Sequence, residues 1–428
     1  MSEAREGGES TSDQVHRGDS IMRRQHPSVT RRRVLAGAGA TAIATLGAPA
    51  ILRAQAKTVK IGIIHPVTGG VSYSGTQSRA GALMAVEDIN GKGGIKSLGG
   101  AQIEALVADA QSKVDVAVSE IEKYHEAGVS AIVGGYASFI CLATTQAAAK
   151  HGIPYVVDVG TDDRIVSGGL TNTFRFSPGY GVFVKTAVPA LKEINAAAGN
   201  AAKTAIIVHE DSAFGTGTAG LLGKELPGIG IEVLDVIKHP TPTLDFNNIV
   251  LTIKAKKPDI VIPANYYNEY VILARTMQQQ KVRPKAIYSV LGGGASQYKF
   301  VKEFPEAAQY IMDCNHWYDP KKPAALELRS RTEAKDLFYT YEVFLNYNAV
   351  MLLADALERA ASTDRAKITE ALAASSWSGH FMPYGPTKFE SGQNTGARAV
   401  NLQVQDNDIK VILPPEFANA KPIFPTPA

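Results

Sequence analysis

The chain has 428 residues, of which 45% are hydrophobic, 7% aromatic and 20% charged, the balance of a soluble globular protein long enough for two domains of ordinary size. Lys and Arg number 44 against 41 Asp and Glu, which argues against nucleic acid as a partner, because phosphate binding needs a basic surface. Gly and Pro are frequent but without a period, which excludes collagen-like structure, and Cys141 and Cys314 alone cannot make a cysteine-only zinc site or a disulfide scaffold.

Residues 1–56 read as a targeting segment. Thr30-Arg31-Arg32-Arg33-Val34-Leu35 sets arginines before an uncharged stretch, Val34 to Leu52, and Ala54-Gln55-Ala56 offers a small-x-small cleavage site. The pattern resembles a twin-arginine export signal, cut near Ala56 to leave a periplasmic protein starting at Lys57. The competing reading is a membrane helix, but the stretch carries Gly37, Gly39, Gly47 and Pro49 and is barely long enough to span. Met22 is an alternative start. Residues 57–428 hold 36 basic and 36 acidic side chains, so the formal +3 belongs to the signal and says nothing about a ligand.

From Lys57 onward, short β-branched apolar runs alternate with Ala-rich amphipathic segments. Strands are expected at Val59–Ile64, Ile103–Val107, Ala131–Val133, Tyr155–Val159, Thr204–His209, Ile231–Ile237, Ile260–Pro263 and Ala286–Val290. Helices are expected at Ser78–Asn90, Val114–Glu126, Thr144–Lys150, Val182–Ala198, Gly217–Leu226, Phe246–Ala255, Tyr267–Gln279 and Tyr339–Ala361. Such alternation means parallel sheets flanked by helices, and the count calls for two α/β lobes. Short strand-like runs, Val400–Val404 and Ile409–Leu413, close the chain.

Ligands in such sheets bind beyond the carboxyl ends of the strands. Three of those ends stand out: Gly134-Gly135-Tyr136-Ala137-Ser138-Phe139, Val159-Gly160-Thr161-Asp162-Asp163 and Ala264-Asn265-Tyr266-Tyr267-Asn268-Glu269. Helix-start N–H groups with Ser and Thr hydroxyls suit an anion such as a carboxylate. Each loop alone also has a plainer reading, with Ser138 a helix cap and Thr161 a turn residue. Three at consistent strand ends favour the site.

Enzyme signatures are missing. The sequence has no HExxH, no phosphate loop and no GxSxG elbow. Gly215-Thr216-Gly217-Thr218-Ala219-Gly220 matches GxGxxG, but Glu210–Phe214 separate it from its strand, so it reads as a loop and helix start rather than a dinucleotide site. His65 reads as a turn residue. His316 and Trp317 face a cleft or are half-buried at a crossover.

Several segments in order resemble the type I solute-binding proteins of ABC importers, the branched-chain amino-acid-binding family. They are Ile61-Gly62 to Gly69, Asp88-Ile89-Asn90 with Gly93-Gly94-Ile95, Val133-Gly134-Gly135, Gly152-Ile153-Pro154, Phe174-Arg175, Ala213-Phe214-Gly215, Asp245-Phe246 and Lys257-Pro258-Asp259. The resemblance runs from Lys57 to about Pro415. It implies an α/β two-lobed clamshell with three hinge crossovers. Residues 57–178 and 316–385 would form lobe one, and 179–315 with 386–428 lobe two.

The resemblance also implies site residues. Ser138 falls on the serine that holds a ligand carboxylate. Thr161 falls on the threonine whose hydroxyl and N–H bind the ligand head, flanked by Gly160 and the Val159 carbonyl. Tyr266 falls on the tyrosine of lobe two that closes over the ligand. Ser74 takes a position usually aromatic, with Tyr73 beside it as the substitute, and Phe139 replaces a second serine. Leu291 stands where the family places the acid for the ligand ammonium, and Tyr180 replaces another acid. An amino-acid ligand would then need Asp158, Glu210 or Glu269, because a lone buried charge is costly. The implied function is binding, without catalysis, cofactor or metal, of a small carboxylate: a hydrophobic or branched-chain amino acid, or an aromatic carboxylate. The implied partners are membrane permease subunits with cytoplasmic ATPases, the binding protein itself being a monomer. The alternative is an exported enzyme or ligand sensor on the same fold.

Overall fold

The computed structural model describes residues 58–427. The export signal expected over 1–56 lies outside them. No helix of the described residues is long and apolar enough to cross a membrane.

Two seven-stranded sheets organise the chain. The first is built from β1 (Val59–His65), β2 (Ile103–Asp109), β3 (Ala131–Gly134), β4 (Tyr155–Val157) and β5 (Thr173–Arg175). The second is built from β6 (Thr204–Glu210), β7 (Glu232–His239), β8 (Ile260–Ala264), β9 (Ala286–Val290) and β10 (Met312–Asn315). The tail adds β11 (Phe389–Glu390) and β12 (Gln393–Asn394) to the first sheet, and β13 (Val400–Gln405) and β14 (Asp408–Leu413) to the second. The parallel strands run in the order 5-4-3-1-2 in one sheet and 10-9-8-6-7 in the other, the same topology twice. These are the two α/β lobes expected from the alternation of elements, and the two-lobed fold that the resemblance implies.

The local reasons are plain. β1, β3 and β8 are short apolar runs buried on both faces, as parallel strands covered by helices must be. Edge strands β2 and β7 are half-exposed, with Val107 and Val236 facing water. The Asp88-Ile89-Asn90 motif is structural. Asn90 spans to β2, donating to the Ile103 carbonyl at 2.9 Å and accepting its N–H at 2.8 Å.

The chain crosses between sheets after β5, after β10 and between β12 and β13. The third crossing comes later than expected. Residues 386–428 were assigned as a block to lobe two, yet Gln393 pairs in parallel with Arg175 of β5, and Phe389 with Asn394, so this stretch extends the first sheet. The buried Arg175 guanidinium fixes the junction, donating to Gln393 Oε1, to the Asp162 carbonyl at 2.6 Å and to Asp163 at 3.1 Å. His65, expected in a turn, is the buried last residue of β1 and bonds Asp158 at 2.9 Å and Asn346 at 2.8 Å. The glycines of the GxGxxG match lie inside the helix Ala213–Glu225, one turn later than a dinucleotide loop requires. Cys141 and Cys314 are free and buried.

Candidate functional site

A cavity lies between the sheets, at the carboxyl ends of their strands. Tyr136 and Ser138 reach it from after β3, and Val159 and Thr161 from after β4. Phe214 comes from after β6, Asn265 and Tyr266 from after β8, Leu291 from after β9 and His316 from after β10. Tyr341 completes it. Loops from both sheets thus face one space, on both sides of the switch point between β6 and β8 in the second sheet and on the β3 and β4 side of the one in the first, where such topologies place a ligand site.

Four helices begin at this cavity. Ser138 is the first residue of the helix Ser138–Lys150, Phe214 the second of Ala213–Glu225, Tyr266 the cap of Tyr267–Gln279 and Tyr341 the first of Tyr341–Ala360. First-turn N–H groups have no intrahelical acceptors, and each helix start carries a partial positive charge. Among the described residues no Asp, Glu, Lys or Arg lines the cavity. Its one titratable nitrogen base, His316, is fully buried, and burial pushes its pKa down to about 3, so the ring is neutral. Its Nε2 has no hydrogen-bond partner among the described residues, and neither has the Tyr266 hydroxyl. The space therefore receives four helix starts, has no charged side chain in its described lining and is walled by aromatic rings. Tyr266 lies 5.3 Å from Phe214 and, across the lobes, 6.0 Å from Tyr136, centroid to centroid.

Two wall residues are non-glycine residues at positive φ, Tyr136 at 50° and Leu291 at 58°. They follow β3 and β9, at the carboxyl ends of the two sheets. The left-handed backbone turns each chain sharply off its strand, so that the side chain enters the cavity wall. The Leu291 N–H stays paired to the Cys314 carbonyl at 3.0 Å.

Of the ten residues expected at the site, Ser138, Val159, Thr161, Tyr266 and Leu291 line the cavity. The other five do not, for visible reasons. Gly160 packs on Cys141: a Cβ there would stand 2.6 Å from its sulfur. Tyr180 lies flat on Gly217, where a Cβ would stand 2.5 Å from the ring. Tyr73 stacks on Tyr267 of the other lobe at 4.2 Å. Ser74 is buried near the Tyr136 phenol, outside the lining. Phe139 faces away, partly buried against the core of lobe one.

Thr161 also differs in detail from its expected role. Its N–H, expected to serve a ligand, donates to Ser138 Oγ at 3.1 Å. The acids named as ammonium partners are not cavity residues either. Asp158 accepts from His65 and from the N–H groups of Tyr136 and Val159. Glu210 accepts from Ser212 and from the Gly215 N–H. Glu269 is buried outside the lining. Sequence reasoning missed Phe214 and Tyr341 as lining residues, though both open helices after loops, the signal that identified Ser138.

The comparisons agree with this geometry. The family model described as "periplasmic binding protein" matches residues 58–408. The Leu/Ile/Val-binding protein homolog 8 of Brucella abortus (strain 2308) is 26% identical over 392 residues, covering 87% of this chain and 95% of its own length. Homolog 7 of the same strain is 26% identical over 369 residues, 83% and 91%. Among solved structures, the branched-chain amino acid transporter substrate-binding protein LivJ of Streptococcus pneumoniae, in complex with isoleucine, superposes with a TM-score of 0.73 at 22% identity, over 84% of this chain and all of its own. The leucine-binding protein LivK of Thermotoga maritima gives 0.72 at 22% identity, over 83% and 97%. Twin sheets of one topology, a cavity at their switch points and a family match over nearly every described residue lead to one conclusion: the chain belongs to the periplasmic binding protein family.

Proposed function

We propose that the protein is the exported substrate-binding component of an ABC importer, and that it closes its lobes over a small carboxylate with an apolar body. The convergence of four helix starts on a cavity without charged side chains carries this reading. Dipoles and hydroxyls at one end suit a carboxylate, and the rings of Tyr136, Phe214, Tyr266 and Tyr341 suit a branched or aromatic remainder. The names of the relatives support a hydrophobic amino acid as the ligand class, and an aromatic carboxylate fits the same walls. Ser138 and Thr161 would hold the head, with Tyr266 closing from lobe two. Ligand works by preferring the closed arrangement, so the output is a shape that membrane permease subunits can recognise. Residues 1–56 would direct export and be removed near Ala56.

Thermal unfolding of the purified protein against leucine, isoleucine, valine, phenylalanine and simple aromatic acids tests the reading. A true ligand at 100 times its Kd adds about 2.7 kcal/mol of stability. A panel in which none of these raises the midpoint sinks the proposal, and turnover of a bound compound would favour an enzyme on this fold.

A further inference from the structure

One buried acid is left unused by the cavity. Glu342 lies in the first turn of the helix Tyr341–Ala360 and has no exposed surface. Its two carboxylate oxygens accept from Gln297 Nε2, at 3.1 and 2.8 Å. The partners belong to different lobes. The Glu342 helix packs on Ser72–Gly91 of lobe one, so closely that a Cβ at Gly81 would stand 2.1 Å from the Val343 carbonyl. Gln297 precedes the helix Tyr298–Glu303, between β9 and β10 of lobe two. The pair therefore spans the cleft. It is also connected to the cavity. Tyr341, the neighbour of Glu342 in the chain, lines the cavity, and the Ser74 hydroxyl stands near both Glu342 and the Tyr136 phenol.

We propose that Glu342 and Gln297 form a clasp that holds the lobes closed and is tied to the ligand cavity through Ser74 and Tyr136, which makes Glu342 a positioning residue for ligand retention. The tie to the ligand rests on reading the cavity as the binding site; the clasp itself does not need a ligand to be seen. A direct hydrogen bond between lobes exists only while they are closed. Opening would return both groups to water.

The clasp has a pH signature. Burial pushes the Glu342 carboxyl up, and the hydrogen bonds from Gln297 and Ser74 only oppose it. Among the described residues, the titratable groups facing it are the phenols of Tyr73, Tyr136 and Tyr341 and, from lobe two, Tyr267, all raised. On the lobe-two side Glu303 acts on Tyr73 and Tyr267, and one turn along the Glu342 helix Asn346 bonds His65. In the open form Glu342 regains water and an ordinary carboxylate pKa. Closure therefore takes up a proton: the closed form is favoured below the ordinary value and loses that advantage as pH rises to the raised one.

Small-angle X-ray scattering of the purified, ligand-free protein from pH 4 to 8 reads the closed fraction. The wild type is expected to be more compact at the acid end. Gln297→Leu should lower its closed-to-open ratio about 2- to 10-fold, the worth of one hydrogen bond. Glu342→Gln should stay compact and lose the pH dependence, and the exchange Glu342→Gln with Gln297→Glu should restore it. Circular dichroism checks that each variant is folded; Gln297→Leu keeps the size of the side chain, so the test survives if a Glu342 variant does not fold. A wild type whose compactness is constant with pH, or a Gln297→Leu protein that scatters as wild type throughout, overturns the clasp. Absence of leucine binding would overturn the ligand reading alone, because these measurements contain no ligand.

Discussion

The Ser138 hydroxyl holds the Thr161 loop in place: its oxygen accepts the N–H of Thr161 and the N–H of Asp162, both at 3.1 Å. Both lone pairs of Oγ are thereby engaged, which leaves the O–H free to donate toward the cavity. One serine thus ties the loop after β4 to the helix after β3 and, in the proposed function, would offer a proton to a ligand oxygen. The two variants should part company. Ser138→Ala leaves two buried N–H groups without acceptors and should cost about 1–3 kcal/mol of stability besides affinity. Thr161→Val keeps the N–H bond and the side-chain size, and should leave stability within about 1 kcal/mol. Its affinity loss is the worth of a hydrogen bond to a charged group, about 10- to 150-fold. Calorimetric titration beside thermal unfolding separates the two. Equal stability in both variants would mean that the Ser138 bonds do not hold the loop.

The same two loops are clamped from behind by Cys141. A Cβ at Gly135 would stand 2.3 Å from its sulfur and one at Gly160 2.6 Å. Gly160 has no positive φ, so the constraint there is space alone. Gly160→Ala should destabilise by about 1–3 kcal/mol through overpacking. Cys141→Ala should recover part of that loss, since it removes the sulfur. A double-mutant cycle of unfolding free energies measures the coupling. Additive costs would show that the sulfur is not what excludes the methyl group.

The fold was legible where chemistry is repetitive. The β-branched runs of β1, β3, β6 and β8 are buried along nearly their whole length and bounded by turns, so composition alone marks them. Thr173–Arg175 and Met312–Asn315 escaped, because three or four residues that include Arg175, Asp313 and Asn315 have no apolar pattern to detect. The cavity was legible at strand ends, where Ser138, Val159, Thr161, Tyr266 and Leu291 sit. It was not legible where a side chain had a competing partner. Tyr73 and Tyr180 read as cavity walls, but Tyr267 and Gly217 give their rings flatter surfaces to pack on. Tyr341 reaches the site from a helix nearly 50 residues after β9, by the close crossing at Gly81, which no local pattern reports.

Asp88, one of the motif residues that carried the family resemblance, is tied to a distant helix. Arg331 donates to its two oxygens at 2.7 and 2.5 Å, and the Tyr347 hydroxyl donates at 2.6 Å. Burial disfavours the charged form, but the bonds from Arg331 and Tyr347 outweigh it and hold the carboxyl below its usual range. The folded pKa is therefore depressed. Its contribution is fully present above the unfolded carboxylate value of about 3.9 and is lost as pH falls through the folded one. Asp88→Asn should cost about 1–2 kcal/mol at pH 7, a value moderated by the third of Arg331 that meets water. The difference from wild type should shrink below about pH 4. Denaturant unfolding at pH 7 and pH 3 checks both statements, and a gap that stays constant would assign the loss to packing instead of charge.

In the proposed function Leu291 would limit what the ligand head can be. It stands where the resembling proteins place an acid for the ligand ammonium, and it lines the cavity. Asp158 and Glu210 are engaged by the fold, and Glu269 does not line the cavity. An ammonium closed into this space would meet helix starts of its own sign and no carboxylate in the wall. The wild type should therefore bind 4-methylpentanoate at least as tightly as leucine, and 3-phenylpropionate at least as tightly as phenylalanine. Leu291→Glu supplies the missing charge from a backbone already turned toward the cavity, with φ of 58°. It should shift each pair toward the amino form by about 10- to 150-fold, the range for one hydrogen bond between charged groups. Paired titrations in wild type and variant read the shift directly. A wild type that strongly prefers leucine to 4-methylpentanoate, with a variant that moves neither ratio, would show that the ammonium is satisfied by hydroxyls and carbonyls alone and that position 291 has no part in selecting it.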